Sequence, residues 1–556
     1  MTSQKWSRLL AVLALTGALV ACGDDDDGGT PDAGRADAGG GTDSGMVAED
    51  DAGSDAGEEP DEDAGTDGGT VPDPEPTVVA LSDTAHDRFR AVTFDADGNV
   101  YAAGQIAVSA TDFALVVAKF DAEGELVAEF GDEGVATLNL AEGGAALENA
   151  YAVVVQPEAD RVVIAGEVEH DPAAAAPANG DTDIVLVGFD TTTGDVDTDF
   201  GDEGIVRLDL STGQVVGSTL NARDTVWSIS LASEERLVVH GTQRAAGLQP
   251  EGESTTPTVP RTDSLFALVR LTADGDRDNT FSGDGLVTVD IVGDPVTNNV
   301  TFARRGARAS ARSATVLADG SIIGTGYITS TALTELATAP PPPPGESLRT
   351  SQQPVLYKVS SAGIFDPTFA ATDETALVGV WHDFAGRDER NAEAYGAALQ
   401  GTNLVTIGYG PTVDATGMGT DWVSFRFTSA GVLDTTYGTG GQSYLDVGGW
   451  SDNGRAVIVL GDDRVLAVGG GRPDPATAPP AGEMPEVDAM VAVLQMGGAP
   501  DTTFGTNGAR LYDLGATDFF WSVALSPDES TVAIAGIAGA ETGGDDDAVL
   551  FLLPVD

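Results

Sequence analysis

The sequence predicts an all-β protein, a seven-bladed β-propeller of four-stranded blades, from three observations along its 556 residues. A hairpin of two apolar runs recurs seven times, and an aromatic residue that opens a tight turn recurs six times at spacings of 67 to 88 residues. A further apolar segment, 77–82, precedes the first hairpin. Radial closure of repeated sheets removes exposed sheet edges, and these repeats fit that architecture.

The hairpin is the first element of each repeat. In the first copy, Asp95-Ala-Asp-Gly98 joins two apolar runs, and Asp-Gly in that position is a strong hairpin signal. The seven copies occupy residues 91–104, 151–166, 226–241, 312–326, 395–408, 455–469 and 520–536.

A third strand follows each hairpin, and a fourth follows the aromatic turn. The turns are Phe130-Gly131, Phe200-Gly201, Phe281-Ser282, Phe369-Ala370, Tyr437-Gly438 and Phe504-Gly505. Only six third strands have a fourth strand after them, so we expect 77–82 to complete the last blade and close the ring from the N-terminal side. The alternative is a linear β-solenoid, which would need capping ends and would leave 77–82 without a partner.

These hairpins and aromatic turns resemble the delta-60 repeat family. Its unit runs approximately A-V-x-P-D-G-K-I-V-V-A-G, then a strand, then D-x-x-F-G-x-x-G. The resemblance covers nearly all of 77–556, and the fourth copy departs most, because Phe369-Ala370 stands where Phe-Gly is expected. The resemblance implies a propeller whose role is largely uncharacterised, and it implies no enzymatic activity.

Residues 1–21 have the layout of a secretory signal peptide. Lys5 and Arg8 precede an apolar run that ends at Cys22 and is too short to span a bilayer, which needs about 20 residues. Leu19-Val20-Ala21-Cys22 resembles a bacterial lipobox, which implies that Cys22 carries lipid and anchors the protein in a membrane. Gly23 after the cysteine favours the outer membrane, and the alternative is a buried, unmodified cysteine.

Residues 22–76 predict a disordered acidic tether. The segment is rich in Asp and Gly and has no aromatic residue, so it lacks the apolar surface needed to fold. The whole chain has a net charge of −62, which excludes a nucleic-acid binder that neutralises phosphates. One cysteine also excludes an internal disulfide, and four histidines argue against a transition-metal site.

The connections between the second and third strands, and some between repeats, are long and fall on one face. Insertions on one face of a repeat protein often mark the binding face, although neutral drift produces the same pattern. Near this face, the start of each first strand carries a polar residue, and these seven form a candidate ligand ring: Arg88, Asn149, Asp224, Ser310, Glu393, Asn453 and Asp518.

Two positions after each of these residues stand Arg90, Tyr151, Val226, Arg312, Tyr395, Arg455 and Phe520. Polar groups beside arginine and aromatic residues would suit a polysaccharide, by stacking and hydrogen bonding. The alternative is that the polar residues cap turns at strand starts.

The resulting hypothesis is a lipid-anchored, monomeric module of the cell envelope that binds a polysaccharide or a protein on its loop-rich face. We expect no cofactor and no metal, because no phosphate-binding loop or ligand cluster is found. The alternative is an enzyme, a lyase or hydrolase with its site at the mouth of the channel. His86 and His382 are its candidate general bases, because both lie between repeats.

Overall fold

The structure is a computed structural model. It describes residues 74–82, 86–109, 112–141, 148–170, 181–211, 214–216, 219–250, 257–261, 263–290, 305–331, 350–371, 376–377, 380–382, 392–411, 420–447, 452–472, 486–540 and 545–555. All of these residues belong to one compact unit, Pro74–Asp556. The predicted signal peptide, Cys22 and nearly all of the acidic tether lie outside the described residues.

The described fold is all-β, and most of its strands form four-stranded antiparallel sheets, which confirms that part of the prediction. One short 3-10 helix, Ser233–Glu235, lies among the described residues, and none of them forms a helix long and apolar enough to cross a bilayer.

The first described strand is β1 (Thr77–Val79). The next sheet pairs β2 (Asp87–Phe94), β3 (Val100–Ser109), β4 (Asp112–Phe120) and β5 (Val135–Leu138) in that order. It is followed by a sheet of β6 (Asn149–Gln156), β7 (Arg161–Glu169), β8 (Thr182–Asp190) and β9 (Ile205–Leu208).

Two small hairpins lie after the β6–β9 sheet. They are β10 (Gln214–Val216) with β11 (Thr219–Asn221), and β14 (Leu248–Pro250) with β15 (Pro257–Pro260). The first lies between two sheets and the second lies in a connection between a second and a third strand, so both extend from the face that carries the long loops.

A nine-stranded sheet holds two sets of strands. The first set is β12 (Thr225–Leu231), β13 (Leu237–Arg244), β16 (Ser264–Leu271) and β17 (Leu286–Val289). The second set is β18 (Arg305–Val316), β19 (Ile322–Thr331), β20 (Thr350–Val359), β21 (Ala376–Leu377) and β22 (Val380–His382). The sets join through a parallel pairing of Ser264 with Arg308.

Three further four-stranded sheets complete the described fold. The first is β23 (Glu393–Gln400), β24 (Asn403–Pro411), β25 (Thr420–Phe427) and β26 (Gln442–Leu445). The second is β27 (Asn453–Val459), β28 (Val465–Gly471), β29 (Asp488–Leu494) and β30 (Ala509–Tyr512). The third pairs β31 (Phe519–Leu525), β32 (Thr531–Ala538) and β33 (Asp547–Pro554) with β1.

The hydrophobic core lies between neighbouring sheets. Middle strands such as β7 are buried along their whole length, because both faces of each sheet are covered, and this explains their continuous apolar runs. One core cluster joins Phe89 and Phe120 of the β2–β5 sheet to Leu550 of the last sheet. The first strand of each set, called here an inner strand, contacts the next inner strand: β2–β6, β6–β12, β12–β18, β18–β23, β23–β27, β27–β31 and β31–β2.

The aromatic turns link each sheet to the following one. Five of the six aromatic rings are buried and that of Phe504 is partly buried. The residue after each ring has a φ of 53° to 59°, which favours glycine. Its amide donates to a carbonyl of the next sheet: Gly131 to Thr193, Gly201 to Asp274, Ser282 to Ala362, Ala370 to Ala430 and Gly438 to Gly497. The divergent turn at Phe369-Ala370 therefore keeps both the conformation and the contact of the other copies.

Candidate functional site

A cavity of about 260 Å³ lies where the inner strands meet. Each of the seven inner strands contributes to its wall, including β2 at one end of the described chain and β31 at the other. The largest side chains in the wall come from one position in each strand: Arg90, Tyr151, Trp227, Arg312, Tyr395, Arg455 and Trp521. We call these seven residues the central ring.

A β-bulge lies at each ring residue and directs its side chain toward the cavity. In every inner strand the pairing register shifts at the ring residue, as between Phe89 and Ala91, so Arg90 has no partner of its own in β3. A bulge adds a residue to one strand and redirects its side chain. The repeated bulge therefore accounts for the shared orientation of the ring residues.

Glycine in the second strand makes room for each bulge. A Cβ on this glycine would lie 1.9 to 2.4 Å from a carbonyl oxygen of the inner strand, which is too close for any other residue. The seven glycines are Gly104, Gly166, Gly241, Gly326, Gly408, Gly469 and Gly536. The recurrent glycine at the end of each hairpin therefore belongs to the construction of the cavity.

The ring residues contact one another in an unbroken cycle. Distances from a guanidinium carbon to a ring centroid are Arg90–Tyr151 5.9 Å, Arg312–Trp227 3.8 Å, Arg312–Tyr395 4.3 Å, Arg455–Tyr395 4.0 Å, Arg455–Trp521 5.0 Å and Arg90–Trp521 3.7 Å. The centroids of Tyr151 and Trp227 lie 5.0 Å apart and complete the cycle. These distances are those of cation–π and aromatic pairs.

The three guanidinium groups have different surroundings. Arg312 is buried and its Nη2 donates to the hydroxyls of Tyr327 and Tyr395, at 3.1 and 3.2 Å. Arg90 forms no ion pair with any described residue, and its Nε and Nη1 have no hydrogen-bond acceptor among them. Arg90 is therefore a ring arginine whose buried Nε and Nη1 are not satisfied by any described residue.

One carboxyl group, Glu393, lies close to the ring. It is buried and accepts a hydrogen bond from the hydroxyl of Tyr409. Burial raises the pKa of Glu393, while the charges of Arg312 and Arg455 act in the opposite direction. Glu393 therefore lies beside the ring but is not part of the cavity wall.

A layer of small residues lies beside the ring. In each inner strand the residue after the ring residue lines the cavity: Ala91, Ala152, Ser228, Ser313, Gly396, Ala456 and Ser522. The Ser228 hydroxyl is buried without a hydrogen-bond partner among the described residues, whereas the Ser522 Oγ accepts the Val92 amide at 3.2 Å. These short side chains leave the space that the cavity occupies.

Five inner strands have, at their first residue or just before it, a buried carboxyl group that binds loop backbone. The five, called here the clamp carboxyls, are Asp87, Glu148, Asp224, Asp452 and Asp518, each three positions before its ring residue. Asp224 accepts the amides of Leu210 and Ser211, and Asp518 accepts those of Leu514, Gly515 and Gly539.

The candidate ligand ring predicted from the sequence falls into two groups. Asp224 and Asp518 are clamp carboxyls. The other five, which stand two positions before the ring residues, are Arg88, Asn149, Ser310, Glu393 and Asn453. None of these seven described residues lines the cavity, and their role in binding at its mouth stays a prediction.

The second predicted set, which stands two positions after the candidate ligand ring, agrees better with the observed cavity wall. Arg90, Tyr151, Arg312, Tyr395 and Arg455 line the cavity, but Trp227 and Trp521 do so in place of Val226 and Phe520. Alignment on the hairpin turns missed the two tryptophans by one residue. Alignment on the bulge glycines, which pair with Val226 and Phe520, would have found them.

The histidines lie apart from the cavity wall. His240 is buried and bonded to the Tyr357 hydroxyl at 2.8 Å, and burial lowers its pKa to about 3. The Nδ1 of His86 accepts the Asp546 amide at 3.0 Å, and His382 is the last residue of β22. The hypothesis that His86 and His382 act as general bases stays a prediction.

His170, Asp183 and Asp209 form a cluster whose ligand atoms lie within 4.8 Å of one another. The Nδ1 of His170 lies 3.1 Å from Asp183, and this hydrogen bond raises the pKa of the imidazole. Arg207 adds a positive charge 3.9 Å from Asp183. His170 and Arg207 both lie within ion-pair distance of Asp183, so these side chains form an ion-paired network.

No family model matches the chain, and no curated protein sequence matches it. Among solved structures, the chain is similar to a glucose dehydrogenase, with 11% identity, a TM-score of 0.30 and coverage of 71% of this chain and 96% of that one. It is also similar to a neuraminidase-like protein of subtype N11 from A/flat-faced bat/Peru/033/2010 (H18N11), with 9% identity, a TM-score of 0.33 and coverage of 86% and 94%.

A third solved structure, a gluconolactonase from Xanthomonas campestris, shares 12% identity with a TM-score of 0.28, over 86% of this chain and 100% of its own. Similarity at this level transfers no activity to the chain. The function is therefore argued from the cavity itself.

Proposed function

We propose that the chain is a closed seven-bladed β-propeller that binds a saccharide in its central cavity. In this proposal the nine-stranded sheet comprises two blades that meet at Ser264 and Arg308. The pairing of β1 with β33 and the contact between β2 and β31 support closure. The unbroken cycle of seven ring residues supports it independently, because each inner strand supplies one member.

Closure can be tested with a disulfide between the two ends of the described chain. Val78 and Val549 are direct partners in the β1–β33 pair. In a variant with Cys22→Ser, the double substitution Val78→Cys and Val549→Cys should form an intramolecular disulfide under mild oxidation. Two thiols that stay reduced and accessible would count against this pairing.

The single observation that carries the binding function is the central ring. It combines four aromatic side chains with three guanidinium groups around a cavity, and such a combination provides stacking surfaces and hydrogen-bond donors for a sugar. The wall contains no histidine and no carboxyl group among its described residues. Histidine and carboxyl groups are the most frequent general acids and bases, so we favour binding over lyase or hydrolase activity.

The test is a glycan array probed with the full chain in detergent, followed by calorimetry with the saccharides that bind. We expect Trp227→Ala to reduce the affinity at least tenfold. A control substitution, Trp422→Phe, changes a buried tryptophan outside the cavity wall and should leave binding unchanged. Failure of every saccharide to bind a chain whose β-structure is verified by circular dichroism would contradict the proposal, and a protein partner would then be sought on the loop-rich face.

We also propose that the protein is exported and held in the outer membrane by lipid on Cys22, with residues 22–76 as a disordered tether. The lipobox resemblance and the acidic, aromatic-free composition of the tether support this arrangement. Cells fed an alkyne-labelled fatty acid should label the wild-type chain but not the Cys22→Ser variant, which should leave the membrane fraction. Equal labelling of the two chains would contradict lipidation at Cys22.

A further inference from the structure

The guanidinium group of Arg90 lies over the indole ring of Trp521. A guanidinium group that lies over an aromatic face covers that face with its own plane, and its N–H groups then point outward within the plane. Arg90 lies 3.7 Å from the Trp521 centroid. Its Nε and Nη1 meet no hydrogen-bond acceptor among the described residues.

The guanidinium group of Arg90 is positively charged and lacks a counterion among the described residues. Arg90 is half-buried, with its Nε and Nη1 removed from water, and it has no ion-pair partner in the described part of the chain. Removing a charge from water costs free energy unless the charge is paired. Glu393, the carboxyl group beside the ring, faces Arg312 and Arg455, which are not the neighbours of Arg90 in the cycle. An anion from solution is therefore the natural partner of Arg90.

The geometry favours an oxyanion of small size. Nε and Nη2, or the two Nη groups, lie on a common edge of a guanidinium and can donate side by side to two oxygens of a carboxylate, a sulfate or a phosphate. The cavity, at about 260 Å³, lies below the common range of small-molecule sites, which is about 300–1,000 Å³. The Ser228 hydroxyl, which is also without a described partner, adds a hydrogen-bonding group to the wall.

We propose that the central cavity recognises an oxyanion group on a sugar-sized ligand, with Arg90 as its bidentate donor. This inference rests on the proposed saccharide-binding function and specifies the charge of the ligand. The protein's net charge of −62 does not oppose it, because charges more than about 10 Å away are largely screened at physiological salt.

Three probes test the charge of the ligand in calorimetry with the full chain: glucuronate, glucose 6-phosphate and glucose. We expect at least one of the two anionic sugars to bind at least tenfold more tightly than glucose. A preference for glucuronate assigns a carboxylate, and a preference for glucose 6-phosphate assigns a phosphate. Equal binding of all three would overturn the oxyanion inference but leave saccharide binding intact, and binding of none would overturn both.

Two variants test the assignment to Arg90. Arg90→Gln should weaken binding of the anionic sugar at least tenfold more than it weakens binding of glucose. Arg464→Gln is the matched control, because it removes the same charge from a residue paired with Asp462 outside the cavity. An unchanged affinity in Arg90→Gln would overturn the assignment.

If the Arg90→Gln chain does not fold, a thermal-shift measurement on the wild-type and Arg90→Lys chains tests the same assignment. Saturating anionic sugar should raise the Tm of the wild-type chain, because a ligand that binds only the folded state stabilises it. Arg90→Lys keeps the charge but loses the paired donors, so this shift should be much smaller in that variant. An equal Tm shift in wild type and Arg90→Lys would overturn bidentate recognition.

Discussion

The guanidinium group of Arg90 stacks on the indole ring of Trp521 at 3.7 Å, although the two residues belong to inner strands near opposite ends of the described chain. This contact is one step in the cycle of seven ring residues. It couples the environment of the candidate binding site to the packing of the β2 strand against the β31 strand. The ring can therefore contribute to stability as well as to binding.

A double-mutant cycle measures this coupling. We expect Arg90→Gln and Trp521→Leu to be less destabilising together than the sum of the single changes, with a coupling free energy between about 0.5 and 2 kcal/mol. Urea unfolding gives the four values needed. The control pair, Arg464→Gln with Trp521→Leu, should be additive, because Arg464 lies outside the cavity wall. Additive effects in the Arg90 pair would show that the stacking contributes nothing measurable.

The bulge glycines provide a second prediction. A Cβ at residue 166 would lie 2.3 Å from the carbonyl oxygen of Asn149, so Gly166→Ala must move backbone. We expect a loss of about 1–3 kcal/mol in the free energy of unfolding, as for overpacked sites. Gly497→Ala is the control, because no heavy atom lies within 4 Å of the added Cβ. Equal unfolding midpoints for the two variants would contradict this steric account.

The repeat pattern predicted the all-β class and the four-stranded sheets because strand pairing depends on local apolar runs and turn residues. Predicting the residues of the central ring also required the register in which each inner strand pairs with the second strand. Counting from the hairpin turn found Tyr151 but placed Val226 and Phe520 where Trp227 and Trp521 stand. The glycine opposite each bulge carried the missing information.

The partners of the ring residues could not be predicted from the sequence. The contact between Arg90 and Trp521 depends on how the first and last sheets meet, and no local pattern encodes that distance. The clamp carboxyls were also hard to separate from ligands, because an aspartate at a strand start is equally typical of a capping residue. Burial and the loop amides bonded to Asp224 distinguish the two roles only in the structure.

The divergent aromatic turn supplies a stabilising substitution. Ala370 is buried with a φ of 57°, a conformation that costs a residue with a Cβ roughly 1–2 kcal/mol. We expect Ala370→Gly to raise the free energy of unfolding by about 0.5–1 kcal/mol, since the added chain entropy of glycine offsets part of the relief. The neighbouring exposed change Ala371→Gly should not stabilise. A lower Tm for Ala370→Gly would contradict the proposed strain.

The clamp carboxyls predict that stability falls as pH rises from about 4 to 8. Burial raises the pKa of Asp224 to about 7, that of Glu148 to about 7 and that of Asp87 to about 6. Between the unfolded pKa, near 4, and these values the folded state binds more protons than the unfolded state. The stabilisation is therefore complete below pH 4 and is lost as the pH rises through the folded pKa.

The substitution Asp224→Asn isolates one clamp carboxyl. The amide oxygen can still accept the Leu210 and Ser211 amides, and the amide nitrogen can donate to the Ser211 hydroxyl that now bonds Asp224. Wild type should lose free energy of unfolding between pH 5 and pH 8 in urea titrations, and the variant should lose less, by on the order of 2 kcal/mol. Asp528→Asn is the control, because hydrogen bonds from Ser526 and Ser530 lower the pKa of that exposed carboxyl, so it stays ionised throughout this range. If Asp224→Asn and wild type lost equal stability over this interval, Asp224 would be ionised in the folded protein at pH 5.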